Sequence, residues 1–234
     1  MYQSGLRRLT IDSGDVQLAT QTQLVEEQLR RMILDMDIGP GERLTERGLE
    51  TQFQISRTSV RTALLRLEGE GLVSRNGRGW IIPPIDLEEV KQLFIYREIL
   101  EVAALQIGGP TASAAELAEI EAILDAVTKD STPEECDFAA RQFHLRIGSL
   151  AKNEFVTRGI ADCMTRLLRV RWIENDASLP GTAEHRAVLR ALQKGQVDKA
   201  IELTRSHISA ARDRLLEALT AGRRSLRARG IVIS

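Results

Sequence analysis

Between Ile55 and Trp80 the chain reads ISRTSVRTALLRLEGEGLVSRNGRGW, and no other stretch leaves the fold so few options. Ser56 is placed to cap a helix, because its hydroxyl satisfies a backbone N–H left without a partner in the first turn. Val60, Ala63, Leu64 and Leu67 then fall at i, i+3, i+4 and i+7, a single core-facing stripe. Arg57, Thr58, Ser59 and Arg61 cluster at the exposed N-terminal end of the same helix, where an inserted helix meets base edges and its positive pole faces phosphate. Gly71 ends the helix. Two short apolar runs, Leu72–Val73 and Trp80–Ile82, flank the turn Asn76-Gly77-Arg78-Gly79, which predicts a hairpin with an arginine at its tip. Helix, turn, second helix and basic hairpin make a winged helix-turn-helix.

The remainder of the first 85 residues supports that frame. A long helix is predicted from Gln17 to Met36, with Leu24, Gln28, Leu29, Met32 and Ile33 among its inward positions. Gly39-Pro40-Gly41 is a turn. Thr45 caps a short helix whose Leu49 and Phe53 pack on the second one, and Gly48 inside it is a mild local fault costing roughly 1 kcal/mol against alanine. Residues 1–16 carry no period and are expected to be a flexible arm. Pro83-Pro84 stiffens the exit from the hairpin, so 17–82 forms one domain and 83–86 a linker.

From residue 87 onward the pattern is helical, giving a mainly α chain. Segments are predicted at 86–107, 113–128, 134–151, 154–174, 182–194 and 197–220, broken at Gly108-Gly109-Pro110, Asp130–Pro133, Pro180-Gly181 and Gly195. Residues 87–220 therefore read as an all-helical bundle. The ending 221–234 is basic and aperiodic, expected as a frayed tail or a supplementary phosphate contact.

Charge is informative only locally. The net charge is −1 over 234 residues, yet residues 1–85 carry 11 arginines and no lysine against 11 acids. From Ser56 to Trp80 five arginines face only Glu68 and Glu70. No apolar run approaches the ~20 residues of a membrane span and the N-terminus lacks a secretory core, so a cytoplasmic protein without membrane contact is expected. The two cysteines, Cys136 and Cys163, match no metal knuckle and read as buried reduced thiols.

The whole chain has three histidines, His144, His185 and His207, each on the apolar stripe of a separate helix. A single histidine so placed is ordinarily a hydrogen-bonded core residue. Three pointing inward on three helices suggest a ligand set, because imidazole suits Zn²⁺, Ni²⁺ and similar ions. Arg97 lies on a helix apolar nearly all round, so it is expected to point inside, where it needs a partner. Glu101, one turn on, could supply one; an anionic ligand is the alternative.

The first domain resembles the GntR superfamily of transcription factors, FadR-like branch, through Pro40-Gly41, Leu44-Thr45-Glu46, Ser56-Arg57-Thr58, Val60-Arg61, Ala63-Leu64, Leu67, Glu70-Gly71-Leu72-Val73 and Arg78-Gly79. The second is similar to an FCD ligand-binding domain through Arg97, Glu101, Phe143-His144, Asn153, Glu184-His185, Ala200 and His207-Ile208. Thr62 departs from the family's usual glutamate and Glu50 from its usual small residue. The resemblance implies a metabolite-responsive regulator, a repressor by expectation, acting as a homodimer on a short inverted repeat of double-stranded DNA. It implies base or phosphate contacts for Arg47, Arg57 and Arg61, backbone contacts for Ser56, Thr58 and Ser59, and a minor-groove contact for Arg78. Arg66, deeper along the helix, is expected in an intramolecular salt bridge. In the second domain it implies a small carboxylate effector on Arg97 and a divalent ion on His144, His185 and His207.

That family site adds an aspartate four residues before the first histidine, where this chain has Ala140. Asp137 lies on the same face but roughly 10 Å away along the axis, too far for a metal–ligand bond of about 2 Å. Three readings follow: a three-histidine site completed by water or by the effector, a weakened site, or a polar pocket without metal. Two other functions fit such a site, a metal-dependent hydrolase and a direct metal sensor. Against the hydrolase, no HExxH occurs and no carboxylate is placed as a general base.

Overall fold

The computed structural model describes residues 13–171, 179–228 and 231–233, and the chain divides into two compact units, Met1–Pro83 and Pro84–Ser234. In the first, α1 (Ser13–Leu34) leads through β1 (Arg43–Leu44) to α2 (Glu46–Phe53) and α3 (Arg57–Gly69), then to the hairpin β2 (Ser74–Asn76) and β3 (Gly79–Ile81). The sheet order is β1-β3-β2 and both pairings are antiparallel. Its two-residue turn is Gly77-Arg78, with Gly77 at φ +58°, a conformation that favours glycine.

Local chemistry sets the helix starts. Ser56 Oγ accepts from the Ser59 N–H and Thr45 Oγ1 from the Gly48 N–H. A Cβ at residue 48 would lie 2.9 Å from Thr45 Oγ1, so glycine there makes room for the cap and is no fault. Val60, Ala63, Leu64 and Leu67 are fully buried, as their spacing requires, and each buried leucine contributes about 1.5–3 kcal/mol. The phase of α1 differs from expectation. Leu24 and Gln28 are exposed, and the inward row is Thr22, Val25, Leu29 and Ile33. Helix α3 packs against that row, and Arg30 and Glu26 on its flank pair with Glu70 and Arg66. Arg66 is thus in the intramolecular salt bridge its depth suggested.

The second unit comprises α4 (Leu87–Gly108), a 3-10 turn (Gly109–Thr111), α5 (Ala114–Asp125), α6 (Pro133–Ser149), α7 (Glu154–Arg171), α8 (Leu179–Gln193) and α9 (Val197–Ala228). Ser113 and Thr132 form capping boxes with Glu116 and Glu135 at the starts of α5 and α6. Helix α4 packs on α6, α7 and α9, and α8 on α6 and α9, which brings α4, α6, α8 and α9 around one interior.

The ends of the predicted segments need correcting. Helix α1 begins at Ser13, inside the expected arm 1–16; residues 1–12 lie outside the described residues, as do 172–174 of the predicted 154–174 helix. The expected tail 221–234 is helical to Ala228, with Leu226, Ile231 and Ile233 buried. Within the expected linker 83–86, Ile85 is buried and bridges Ile233 in parallel, and Asp86 caps α4. Cys163 is buried, and burial pushes its thiol up to about 11. Cys136 is only half-buried.

Candidate functional site

Two places in the molecule concentrate unusual chemistry, and each is organised by a buried glutamate. The first is the N-terminal end of α3. Ser56, Arg57, Thr58 and Arg61 are exposed there, as are Arg47 on α2 and Arg78 at the hairpin tip. Ser59, expected to meet DNA, is 1% exposed. Its hydroxyl lies 3.0 Å from Ser56 Oγ, so in the DNA-free chain it is turned to the cap. Glu46, at the first turn of α2, is 7% exposed and accepts from Arg57 Nε at 3.0 Å and from Arg61 Nε and Nη2 at 2.9 and 2.8 Å. The Arg61 hydrogen bonds, then those of Arg57, hold its carboxyl down at about 2 despite burial. Both guanidiniums stay more than half exposed. Arg75 of the hairpin approaches the same carboxylate and lies 3.9 Å over the Trp80 ring.

The second place lies between α4, α6, α8 and α9, where all three histidines meet. Nε2 of His185 is 3.2 Å from Nε2 of His144 and 3.1 Å from Nε2 of His207, and one ring nitrogen from each falls within 4.8 Å of the others. An ion held by imidazoles at about 2.0–2.1 Å would separate neighbouring ligand nitrogens by about 3.0–3.4 Å. Two of the three pairs meet that spacing. The other ring nitrogens are occupied: His144 Nδ1 donates to Glu101 Oε2 at 2.9 Å and His207 Nδ1 to Glu184 Oε2 at 2.6 Å. Such carboxylates fix the tautomer that leaves Nε2 bare, the usual outer support of a metal-binding histidine. His185 is oriented by stacking on Phe143, 4.2 Å between ring centres. Three imidazole nitrogens with at most one shared proton make a donor set that fits a divalent cation.

Electrostatics agree with that fit. Burial pushes His185 well below the ordinary imidazole value, and the nearby His144 and His207 push it further. Burial also lowers His207, against the opposing hydrogen bond to Glu184. Both are therefore neutral near pH 7, the form that binds metal. Ala140 stands half-buried one turn before His144, so no carboxylate completes the set from that position.

Arg97 enters the same cluster. It is 2% exposed, its Nε donates to Glu101 Oε1 at 2.6 Å, and its Nη2 lies against the His144 ring, 2.6 Å from Nε2 and 3.0 Å from Nδ1. The i,i+4 spacing had pointed to Glu101 as a partner; that Glu101, fully buried, also serves His144 had not been legible. Glu184 sits beside His185 in sequence, and only the packing of α8 on α9 turns it towards His207. Glu46 and Arg75 were likewise missed, for first-turn acids and hairpin arginines occur on most surfaces. Arg141 donates to Thr165 and Arg146 pairs with Glu119, so neither joins the cluster.

Comparison with known proteins covers both units. The FCD domain matches residues 92–210, and the family "Bacterial regulatory proteins, gntR family" matches residues 21–82. The Nta operon transcriptional regulator of Aminobacter aminovorans is 26% identical over 193 residues, 80% of this chain and 91% of that protein. Among solved structures, a GntR protein from Rhodococcus sp. RHA1 aligns with a TM-score of 0.72 at 24% identity, covering 85% of this chain and 99% of that one. A metal-free FCD domain aligns with a TM-score of 0.52 at 21% identity, covering 58% of this chain and 98% of that one. Among the described residues no helix is long and apolar enough to cross a membrane.

Proposed function

This chain belongs to the GntR family of DNA-binding transcriptional regulators and carries its FCD domain, and from that premise we propose that a small organic acid, held beside a divalent ion in the helical unit, sets its affinity for an operator. The carrying observation is the convergence of His144, His185 and His207, with Glu101 and Glu184 fixing two of the rings and Arg97 alongside. Bound there, Zn²⁺ or Ni²⁺ would supply a Lewis-acidic anchor for a carboxylate. The chain's own groups do the rest. Arg97 offers a guanidinium to the acid, the buried walls exclude water, and Ala140 leaves a coordination position for water or for the acid itself.

In the other unit, α3 enters the major groove. Arg57 and Arg61 read base edges with Arg47 beside them, Ser56 and Thr58 hold phosphate, and Arg78 reaches the minor groove from the hairpin. Two copies bind an inverted repeat. Exposed Ile95 and Ile99, one turn apart on α4, support such a homodimer, because exposed apolar pairs on a helix favour a partner. The protein works as a cytoplasmic repressor, and the acid acts because its affinity differs between the DNA-competent and incompetent states.

Elemental analysis and native mass spectrometry of the purified protein, followed by operator binding titrated with Zn²⁺ at fixed acid and with acid at fixed Zn²⁺, test the reading. Operator affinity that responds to the acid only when metal is present supports it. A response to the ion alone would make the protein a metal sensor, and chelator-sensitive ester or amide hydrolysis would make it a hydrolase.

A further inference from the structure

Arg97 and a metal ion compete for one imidazole. His144 gives its Nδ1 proton to Glu101 at 2.9 Å, so its Nε2 is bare, and Arg97 Nη2 lies against the ring, 3.0 Å from Nδ1 and 2.6 Å from Nε2. The same nitrogen lies 3.2 Å from His185 Nε2, inside the cluster. A guanidinium nitrogen 2.6 Å from Nε2 crowds the space an ion on that nitrogen would need, and two cations this close repel strongly where burial lowers the dielectric. Arg97 is also tethered. Its Nε stays on Glu101 Oε1 at 2.6 Å, so the distal nitrogen can leave His144 while the side chain keeps its anchor.

We infer that Arg97 is a built-in blocker of the three-histidine site, and that a carboxylate which claims its guanidinium unmasks His144 and thereby raises metal affinity. This rests on the metal-and-acid reading above and adds its order of events: the acid and the ion bind cooperatively because one side chain must release the first site to serve the second. Linkage makes the effect mutual, so bound metal tightens the acid to the same degree. Glu101 is the pivot, accepting from Arg97 on one oxygen and from His144 on the other.

The test measures Zn²⁺ affinity by competition with a coloured chelator, for the full chain and for Arg97→Met, without and with excess acetate as the carboxylate probe. Arg97→Met should bind Zn²⁺ roughly ten-fold more tightly than the native protein without acetate, the weight of one charge-assisted hydrogen bond. Acetate should tighten Zn²⁺ binding by the native protein and do so clearly less for Arg97→Met, where only direct coordination to the ion remains, a difference that removal of a charge alone would not produce. Arg97→Lys keeps a cation for Glu101 but lacks the second arm to His144, and it stands in if circular dichroism finds the methionine variant unfolded. It should also bind Zn²⁺ more tightly than the native chain. Equal or weaker Zn²⁺ binding by the folded variant, or an undiminished acetate effect in it, overturns the blocker and leaves the three-histidine site standing. Failure of every protein to bind Zn²⁺ overturns both.

Discussion

Glu46 in the first unit and Glu101 in the second do the same thing in opposite surroundings. Each is buried, each binds two basic groups, and each sits within the first turns of a helix or one turn from its key arginine. Arg57 and Arg61 reach Glu46 from outside and remain more than half exposed. Arg97 and His144 reach Glu101 from inside and are 2% exposed. The outer arrangement holds positive charge in a fixed pose facing solvent. The inner one holds its basic groups away from water. Burial, more than residue identity, separates the two.

The sharpest way to break the comparison is to neutralise both acids. Glu101→Gln should cost about 3–5 kcal/mol, since it leaves a buried arginine without its counter-charge. Glu46→Gln should cost clearly less, because its arginines already face water. Thermal unfolding of the two variants measures the contrast, and equal losses would mean that the surroundings do not matter.

The pocket is probed next. His144→Ala should lower Zn²⁺ affinity by about a hundred-fold while leaving metal-free operator binding unchanged, as losing a ligand removes more than the 10–100-fold of an outer partner. Ala140→Asp should raise that affinity, placing a carboxylate roughly 6 Å along the same helix face from His144. Without metal the new side chain should lower stability by about 1–3 kcal/mol. An Ala140→Asp protein that no divalent ion stabilises would count against a metal site, by a thermal-shift readout with Zn²⁺ and Ni²⁺.

On the reading surface, Arg57→Ala and Arg61→Ala should each weaken specific operator binding by about 1–3 kcal/mol with the fold intact. Gel-shift titrations on specific and scrambled duplexes distinguish base reading from charge alone: a loss equal on both would assign these arginines to phosphate. Smallest is the acid response of Glu46. Its carboxyl titrates near 2 in the folded chain against an ordinary 4.5. The stability it adds is therefore complete above about pH 4.5 and is lost as pH falls towards 2. The native protein should lose more stability than Glu46→Gln over that window, by chemical denaturation at stepped pH.

What the sequence revealed follows the range of the interactions. The α3 stripe and both serine and threonine caps are local, and Val60 to Leu67 lie as their spacing required. The inward histidines were legible because each helix stripe names its own face. The phase of α1 was not, since Leu24 and Val25 are equally apolar neighbours and only the seat of α3 chooses between them. The tail failed for the same reason. Ile231 and Ile233 are buried on either side of exposed Val232, a strand-like alternation that has meaning only beside Ile85. The burial of Ser59 against Ser56, three residues earlier, was not legible from its place in the motif.

Trp80 gives this protein its own optical gauge. It is one of two tryptophans, the other being Trp172, so Trp172→Phe leaves a single tryptophan, in the first unit. Its indole is 1% exposed beneath the Arg75 guanidinium, an apolar setting that shifts emission to the blue. Were Arg75 drawn away to a phosphate, the cation would leave the ring and the emission would change, so DNA binding could be followed as light, without a dye and in real time.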